Sequence, residues 1–342
     1  LDFSVGNEWI GGFSNIFMNA INVNSPSGSI PESLFATFQM TFAIITPALM
    51  IGAFVERIKF SAMLIFLSMW LLVVYVPVTH WVWGGGILSS WGTMDFAGGI
   101  VVHATAGTAA LVTALTLGKR RGFPKSITPP HSPILTMIGA SMLWIGWFGF
   151  NAGSALGANG GAGMAMLVTH ISAATASLVW MFIEWRRFGK PSLIGIVTGM
   201  VAGLATVTPA SGYIGVPGGL VLGFFGGLFC YLAVDYIRGK LQIDDSLDVF
   251  AVHGVGGILG TLLVAFLATS TFSGLGLAEG QTAVSQFFVQ LKAVVLTVAW
   301  TSIFTYLILK ITSFIVPLRV DEQEEIEGLA LRSHGEKGYH SD

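Results

Sequence analysis

The chain has 342 residues, 53% of them hydrophobic and only 10% charged, where a soluble domain carries about 25% charged residues. With a mean hydropathy of +0.75, it reads as an all-α polytopic membrane protein rather than as soluble domains. The formal net charge of -2 leaves no basic footprint for nucleic acid, and a single cysteine, Cys230, excludes an internal disulfide and a zinc-binding spacing.

Residues 1–31 form a polar loop rich in Asn, Ser and Gly. Apolar runs of about 20 residues, the length that spans a bilayer, then follow at 33–55, 60–79, 96–118, 132–152, 162–183, 192–210, 216–237, 247–270 and 286–314. These nine spans make residues 32–316 a membrane domain, and 317–342 a charged tail. The acidic run Asp321, Glu322, Glu324, Glu325 and Glu327 reads as a solvated tail. Gly328, Gly335 and Gly338 favour turns there over a continuous helix.

Lys and Arg set the orientation. Arg57, Lys59, Lys119, Arg120, Arg121, Arg186, Arg187, Lys190, Arg238, Lys240 and Arg319 all fall at alternate span ends or in the tail. Loops 1–31, 80–95, 153–161, 211–215 and 271–285 contain neither residue. The pattern predicts an outside N-terminal loop and a cytoplasmic tail. Lys292 and Lys310 lie in the last span near its ends, where snorkelling explains them.

Two histidines sit inside apolar runs, where ionisable side chains are expensive and mark function. His103 lies eight residues past Asp95, and His253 eight past Asp245. Around them, DFAGGIVVHATAG echoes DVFAVHGVGGILG. The loop count runs these two spans in opposite directions, as inverted repeats do. Eight residues rise about 12 Å, so histidines entering from opposite faces reach similar depth near the midplane. There, two imidazoles can share one hydrogen bond and turn their other nitrogens to a common path.

Aromatic residues cluster near the outside. THWVWGGG carries Trp81 and Trp83, FQMTF carries Phe38 and Phe42, and WIGWFGFNAGS carries Trp144, Trp147, Phe148, Phe150 and Ser154. Most of the ten Trp residues suit an interfacial belt. A subset with a serine hydroxyl suits a cation–π cage for a small cation. Asp95, at a helix start before Gly98 and Gly99, suits a helix cap and also a negative potential beneath that cage.

The segments GAFVERIKFSAMLIF, HWVWGGG, DFAGGIVVH, WIGWFGFNAGSA, GKPSL, TPASGYIG and DVFAVHGVGGI resemble the signatures of the ammonium transporter family, which includes the Mep and Rhesus proteins. The likeness covers the chain from about residue 30 to the tail and is strongest to the bacterial members. It implies that His103 and His253 are twin pore histidines, that Phe42 and Phe150 are stacked gate rings, and that Trp147 lines the pore. It further implies that Trp83, Phe42 and Ser154 recruit ammonium, with Asp95 supporting them. The family fold has eleven helices in two inverted five-helix repeats, assembled as a homotrimer. Nine spans then correspond to that fold without its first two helices. The tail resembles one that works with PII-type signalling proteins.

The expected activity is therefore conduction of ammonia or ammonium across a cell membrane, with lipid around the protein. Enzyme chemistry and a bound cofactor are not expected, since no phosphate loop, paired nucleophile and base, or metal cluster is visible. The alternative is an ammonium sensor that couples pore occupancy to a cytoplasmic signalling partner.

Overall fold

The computed structural model describes residues 2–13, 16–126 and 129–338. The last four residues of the tail, 339–342, lie outside the described residues, as do positions 1, 14–15 and 127–128. Strands β1 (Asp2–Gly6), β2 (Gly11–Gly12), β3 (Pro26–Ser27) and β4 (Ile30–Pro31) make two small antiparallel pairs in the N-terminal loop. The membrane helices are α1 (Glu32–Ile51), α2 (Phe60–Ser90), α3 (Gly99–Leu117), α4 (Pro133–Gly153), α5 (Gly160–Phe188), α6 (Leu193–Val207), α7 (Val216–Lys240), α8 (Phe250–Leu267) and α9 (Ala283–Ile315). A short α10 (Glu322–Glu327) follows in the tail.

Local chemistry sets the helix ends. The side chains of Ser132, Asn159 and Ser192 accept from Leu135, Ala162 and Gly195 N–H and so start α4, α5 and α6. Thr282 and Ser285 form a reciprocal box at the start of α9. Gly189, with φ of 76°, ends α5.

Two spans differ from the sequence expectation. The run at 60–79 continues as far as Ser90, through a π-helical turn at Leu71–Tyr75 and a glycine break at 84–86. Trp81 and Trp83 therefore lie on helix, not in an outer loop, because burying the Trp81 ring favours continuing the turn. That ring is 1% exposed, donates its indole N–H to the Trp9 carbonyl at 2.8 Å and packs 5.0 Å from Trp300. The run at 192–210 yields a helix of only 15 residues, about 22 Å against a hydrocarbon core of about 30 Å. It stops because residues 208–213 turn to cradle the start of α3. Pro209 accepts from Phe96 N–H at 3.0 Å, and Tyr213 packs 5.6 Å from the Phe96 ring. Among the described residues, eight helices are thus long and apolar enough to span a membrane, and α6 is a shorter ninth.

The Trp distribution also departs from a belt. Trp70, Trp81, Trp147 and Trp180 are core residues, whereas Trp9 and Trp185 are the well-exposed ones.

The centre of the bundle is the crossing of α3 and α8. In the most apolar stretch of α3, 78% is buried, against 6% in α4. Glycines permit the crossing. A Cβ at Gly107 would collide with Gly254, and one at Gly257 would fall 2.5 Å from the His103 Cβ. Gly99 faces Thr261, so the contact runs antiparallel. Both helices are π-helical where they carry histidine, at Gly99–Ala104 and Phe250–Gly254, a local widening common at functional sites.

The tail docks rather than floats. Leu318 accepts from Lys59 N–H at 2.8 Å, and Val320 N–H donates to Arg57 at 3.1 Å. Arg319 donates to the Leu117 carbonyl at 2.9 Å and pairs with Glu325 at 2.8 Å, while Glu325 accepts from Arg121 N–H at 2.7 Å. Burial pulls the Glu325 carboxyl up, but Arg121 N–H and the Arg319 guanidinium outweigh it and hold it below its ordinary value. The tail thereby lies on one face with the ends of α1 and α3.

Gly257→Val should lower thermal stability in detergent by about 1–3 kcal/mol, because the added methyls overpack the crossing. Gly139→Ala, where a Cβ meets nothing within 4 Å, should leave it unchanged. Equal melting curves for the two variants would contradict the crossing as the packing centre.

Candidate functional site

The sequence-expected residues converge on one line of rings. Trp83 of α2 lies 5.5 Å from Phe42 of α1, edge to face. Phe42 lies 4.4 Å from Phe150 of α4, and Phe150 lies 6.0 Å from His103. His103 stacks on Trp147 at 5.3 Å and 13°, and on His253 at 5.2 Å and 20°. Phe38 extends the cluster, 4.9 Å from Phe42. Each ring comes from a helix whose ends are fixed independently, so tertiary packing builds the series.

The two imidazoles meet through Nδ1, 3.2 Å apart. Two neutral rings sharing this bond are opposite tautomers. The one that donates Nδ1–H has a bare Nε2, and the one that accepts carries its proton on Nε2. The pair therefore offers one acceptor and one donor without fixed charge. His103 Nε2 is buried with no protein partner among the described residues.

Asp95 is 3% exposed and works twice. Its Oδ1 accepts from Gly98 and Gly99 N–H at 2.8 and 2.7 Å, and its Oδ2 from Ile100 and Val101 N–H at 2.8 and 3.2 Å. Four otherwise orphaned donors at the start of α3 are thus satisfied. Its own carbonyl accepts the Trp83 indole N–H at 2.8 Å, which fixes that ring. Asp245 mirrors it incompletely: Oδ2 accepts from Phe250 N–H at 2.7 Å, while Oδ1 is buried with no partner among the described residues.

Ser154 ends α4, and its hydroxyl donates to the Phe150 carbonyl at 2.9 Å. Its proton is thereby committed and its lone pairs remain as acceptors. The neighbouring Gly153 lies against the Phe38 ring. Trp83 also lines an apolar groove of about 810 Å³ between α1 and α2. Sequence reading missed Thr208, whose hydroxyl accepts the Trp147 indole N–H at 2.9 Å and orients the ring stacked on His103. Its position at the end of α6 gave no periodic signal. Among the described residues, no group of His, Cys, Asp or Glu is arranged to hold a metal.

Residues 2–339 match the model of the Ammonium Transporter Family. This chain belongs to the ammonium transporter family. Among its relatives is the ammonium transporter Amt1 of Archaeoglobus fulgidus, 48% identical over 311 residues, or 90% of this chain and 78% of that one. Another is the ammonium transporter of Bacillus subtilis, 42% identical over 343 residues, or 99% of this chain and 84% of the other. Among solved structures, Mep2 of Saccharomyces cerevisiae superposes with a TM-score of 0.80 at 37% identity, covering 93% of this chain and 76% of Mep2. A protein described as "Sensor Amt Protein" superposes at 0.89 and 29% identity, covering 97% of this chain and 84% of that one. The family and the apolar helices make this transporter a multi-pass membrane protein.

In this transporter, Asp95→Asn leaves one acceptor oxygen for four N–H donors. The variant should lose about 2–4 kcal/mol of stability and shift the Trp83 emission, read by thermal unfolding and tryptophan fluorescence. An unchanged melting point would refute the capping role.

Proposed function

We propose that this protein conducts ammonium nitrogen across a cell membrane through a pore lined by His103, His253 and Trp147. The unbroken ring series from Trp83 to His253 carries this reading. Ammonium docks beside the edge-to-face pair of Trp83 and Phe42, where contact with a free ring face is worth about 0.5–2 kcal/mol, and donates to the Ser154 lone pairs. Asp95 keeps Trp83 in place and holds negative potential beneath the site. The stacked rings of Phe42 and Phe150 close the path to a hydrated cation, so ammonium returns its proton to the bulk water on the outer side of this gate and enters as ammonia. Ammonia then passes the opposite tautomers of the histidine pair, accepting from one Nε2 and donating to the other. Potassium neither donates hydrogen bonds nor releases a proton, so it stops at the gate.

The Lys and Arg distribution supports an outside N-terminal loop and a cytoplasmic tail. Membership of the ammonium transporter family supports assembly as a homotrimer, for which the exposed apolar side chains of α4, such as Ile134, Ile138 and Met142, leave a face open to lipid or a neighbouring copy. The docked acidic tail supports a PII-type signalling protein as the cytoplasmic partner. In native mass spectrometry the full-length protein should run as a trimer and gain mass with a PII-type protein. A monomer at all concentrations would refute the assembly.

Likeness to the protein described as "Sensor Amt Protein" favours a second reading, in which the docked tail reports pore occupancy. Flux decides between them. In proteoliposomes, ammonium should be carried and potassium refused, and the His103→Ala, His253→Ala double variant should lose that selectivity. Unchanged selectivity in the double variant sinks the pore assignment. Ammonium-dependent partner binding without any flux selects the sensor.

A further inference from the structure

The turns leading into α3 and α8 are each gripped by a buried polar side chain from elsewhere in the chain, one from the loop between α1 and α2 and one from α9. On the α8 side, Arg57 is fully buried and donates to the Asp244 carbonyl and to Ser246 Oγ, directly flanking Asp245. On the α3 side the grip comes from α9. Gln290 is 0% exposed. Its Oε1 accepts from Met94 N–H at 2.8 Å, and its Nε2 donates to the Met94 carbonyl at 2.7 Å and to the Thr261 carbonyl at 2.9 Å. Gln286, one turn earlier, donates to the Gly92 carbonyl at 3.0 Å and to Gln290 Oε1 at 3.2 Å. Lys292, exposed near the start of the same helix, lies 3.4 Å over the Trp91 ring.

Two amides inside an apolar helix are expensive unless fully bonded. Here one of them, Gln290, uses both ends of its amide on the residue immediately before Asp95. It also reaches α8 at Thr261, eight residues past His253. Gln290 therefore fixes where the Asp95 backbone sits relative to the histidine helix. The Asp95 carbonyl in turn fixes the Trp83 indole. Apart from the bond its Oε1 accepts from Gln286 of the same helix, every side-chain bond of Gln290 leaves α9 for the 92–95 turn or for α8.

We infer that Gln290 is a positioning residue for the outer cation site, acting through the 92–95 turn and the Asp95 carbonyl on Trp83. This inference rests on the proposed role of Trp83 in recruitment. Removing the amide lets the turn drift and tilts the indole, so the site binds ammonium less well while the histidine path stays intact. The effect belongs to half-saturation, not to maximal flux.

The test is a double-mutant cycle in the full-length protein reconstituted in proteoliposomes, with methylammonium as the probe. Gln290→Met should raise the half-saturation concentration by about tenfold, the equivalent of one hydrogen bond's worth of geometry, at near-normal maximal flux. In a Trp83→Leu background, Gln290→Met should add little, because both act on one ring. Hydrogen exchange of the 91–98 peptide should quicken in Gln290→Met and not in Trp83→Leu. Gln290→Asn, which keeps the amide but withdraws it by one methylene, serves if Gln290→Met does not insert, with the same expectations. An unchanged half-saturation in a folded Gln290 variant, a fall in maximal flux alone, or full additivity with Trp83→Leu overturns the inference. If Trp83→Leu by itself leaves half-saturation unchanged, the recruitment reading has failed, and the role of Gln290 falls with it.

Discussion

The close antiparallel crossing of α3 and α8 is the constraint on which the rest depends. Gly107 against Gly254 and Gly257 against His103 bring two backbones to near contact, and only then can Nδ1 meet Nδ1 at 3.2 Å. A side chain at either glycine would separate the helices by more than a hydrogen bond tolerates. In lipid no hydrophobic force drives helices together beyond tail packing, so small residues and fully bonded polar groups must hold such a crossing. The π-helical turns at both histidines belong to the same geometry, since each widens the helix where an imidazole leaves it.

Helices that begin within the protein raise a second problem. Their first backbone donors are buried and need acceptors. Asp95 answers for α3 with four bonds, and the carbonyl of the same residue aims Trp83. Structural capping and site geometry are thus one object, not two competing readings. The α8 side is built differently, with buried Arg57 holding the turn and one Asp245 oxygen without a hydrogen-bond partner among the described residues. The internal repeat is therefore a repeat of path and depth, while the polar groups that hold each half have diverged.

Tertiary packing also changed the meaning of residues that were visible in the sequence. Lys292, read as a snorkelling end, has its ammonium over the Trp91 ring. In the acidic tail, read as solvated, Asp321, Glu322 and Glu327 are exposed, while Glu325 pairs with Arg319 and accepts from Arg121 N–H. Trp81 looked interfacial and is a core residue. Apart from Arg319, six residues from Glu325, each partner is more than 100 residues away or belongs to another loop, beyond the reach of a local pattern. Thr208 and Gln290 were missed for the same reason, although two glutamines one turn apart in an apolar run were a legible anomaly.

By itself, the sequence determined what depends on local chemistry and period. Apolar length set the number and order of spans, Lys and Arg divided the loops into two classes, and the Asp-to-His spacing of eight set matched depths. Motif likeness set the family. Only the tertiary structure decided which rings touch, which nitrogen of each histidine faces the other, and that α6 stops short so that its turn can hold α3. These are distances between separate helices. They follow from how glycine contacts and buried hydrogen bonds fix neighbouring backbones, and no single segment contains that information.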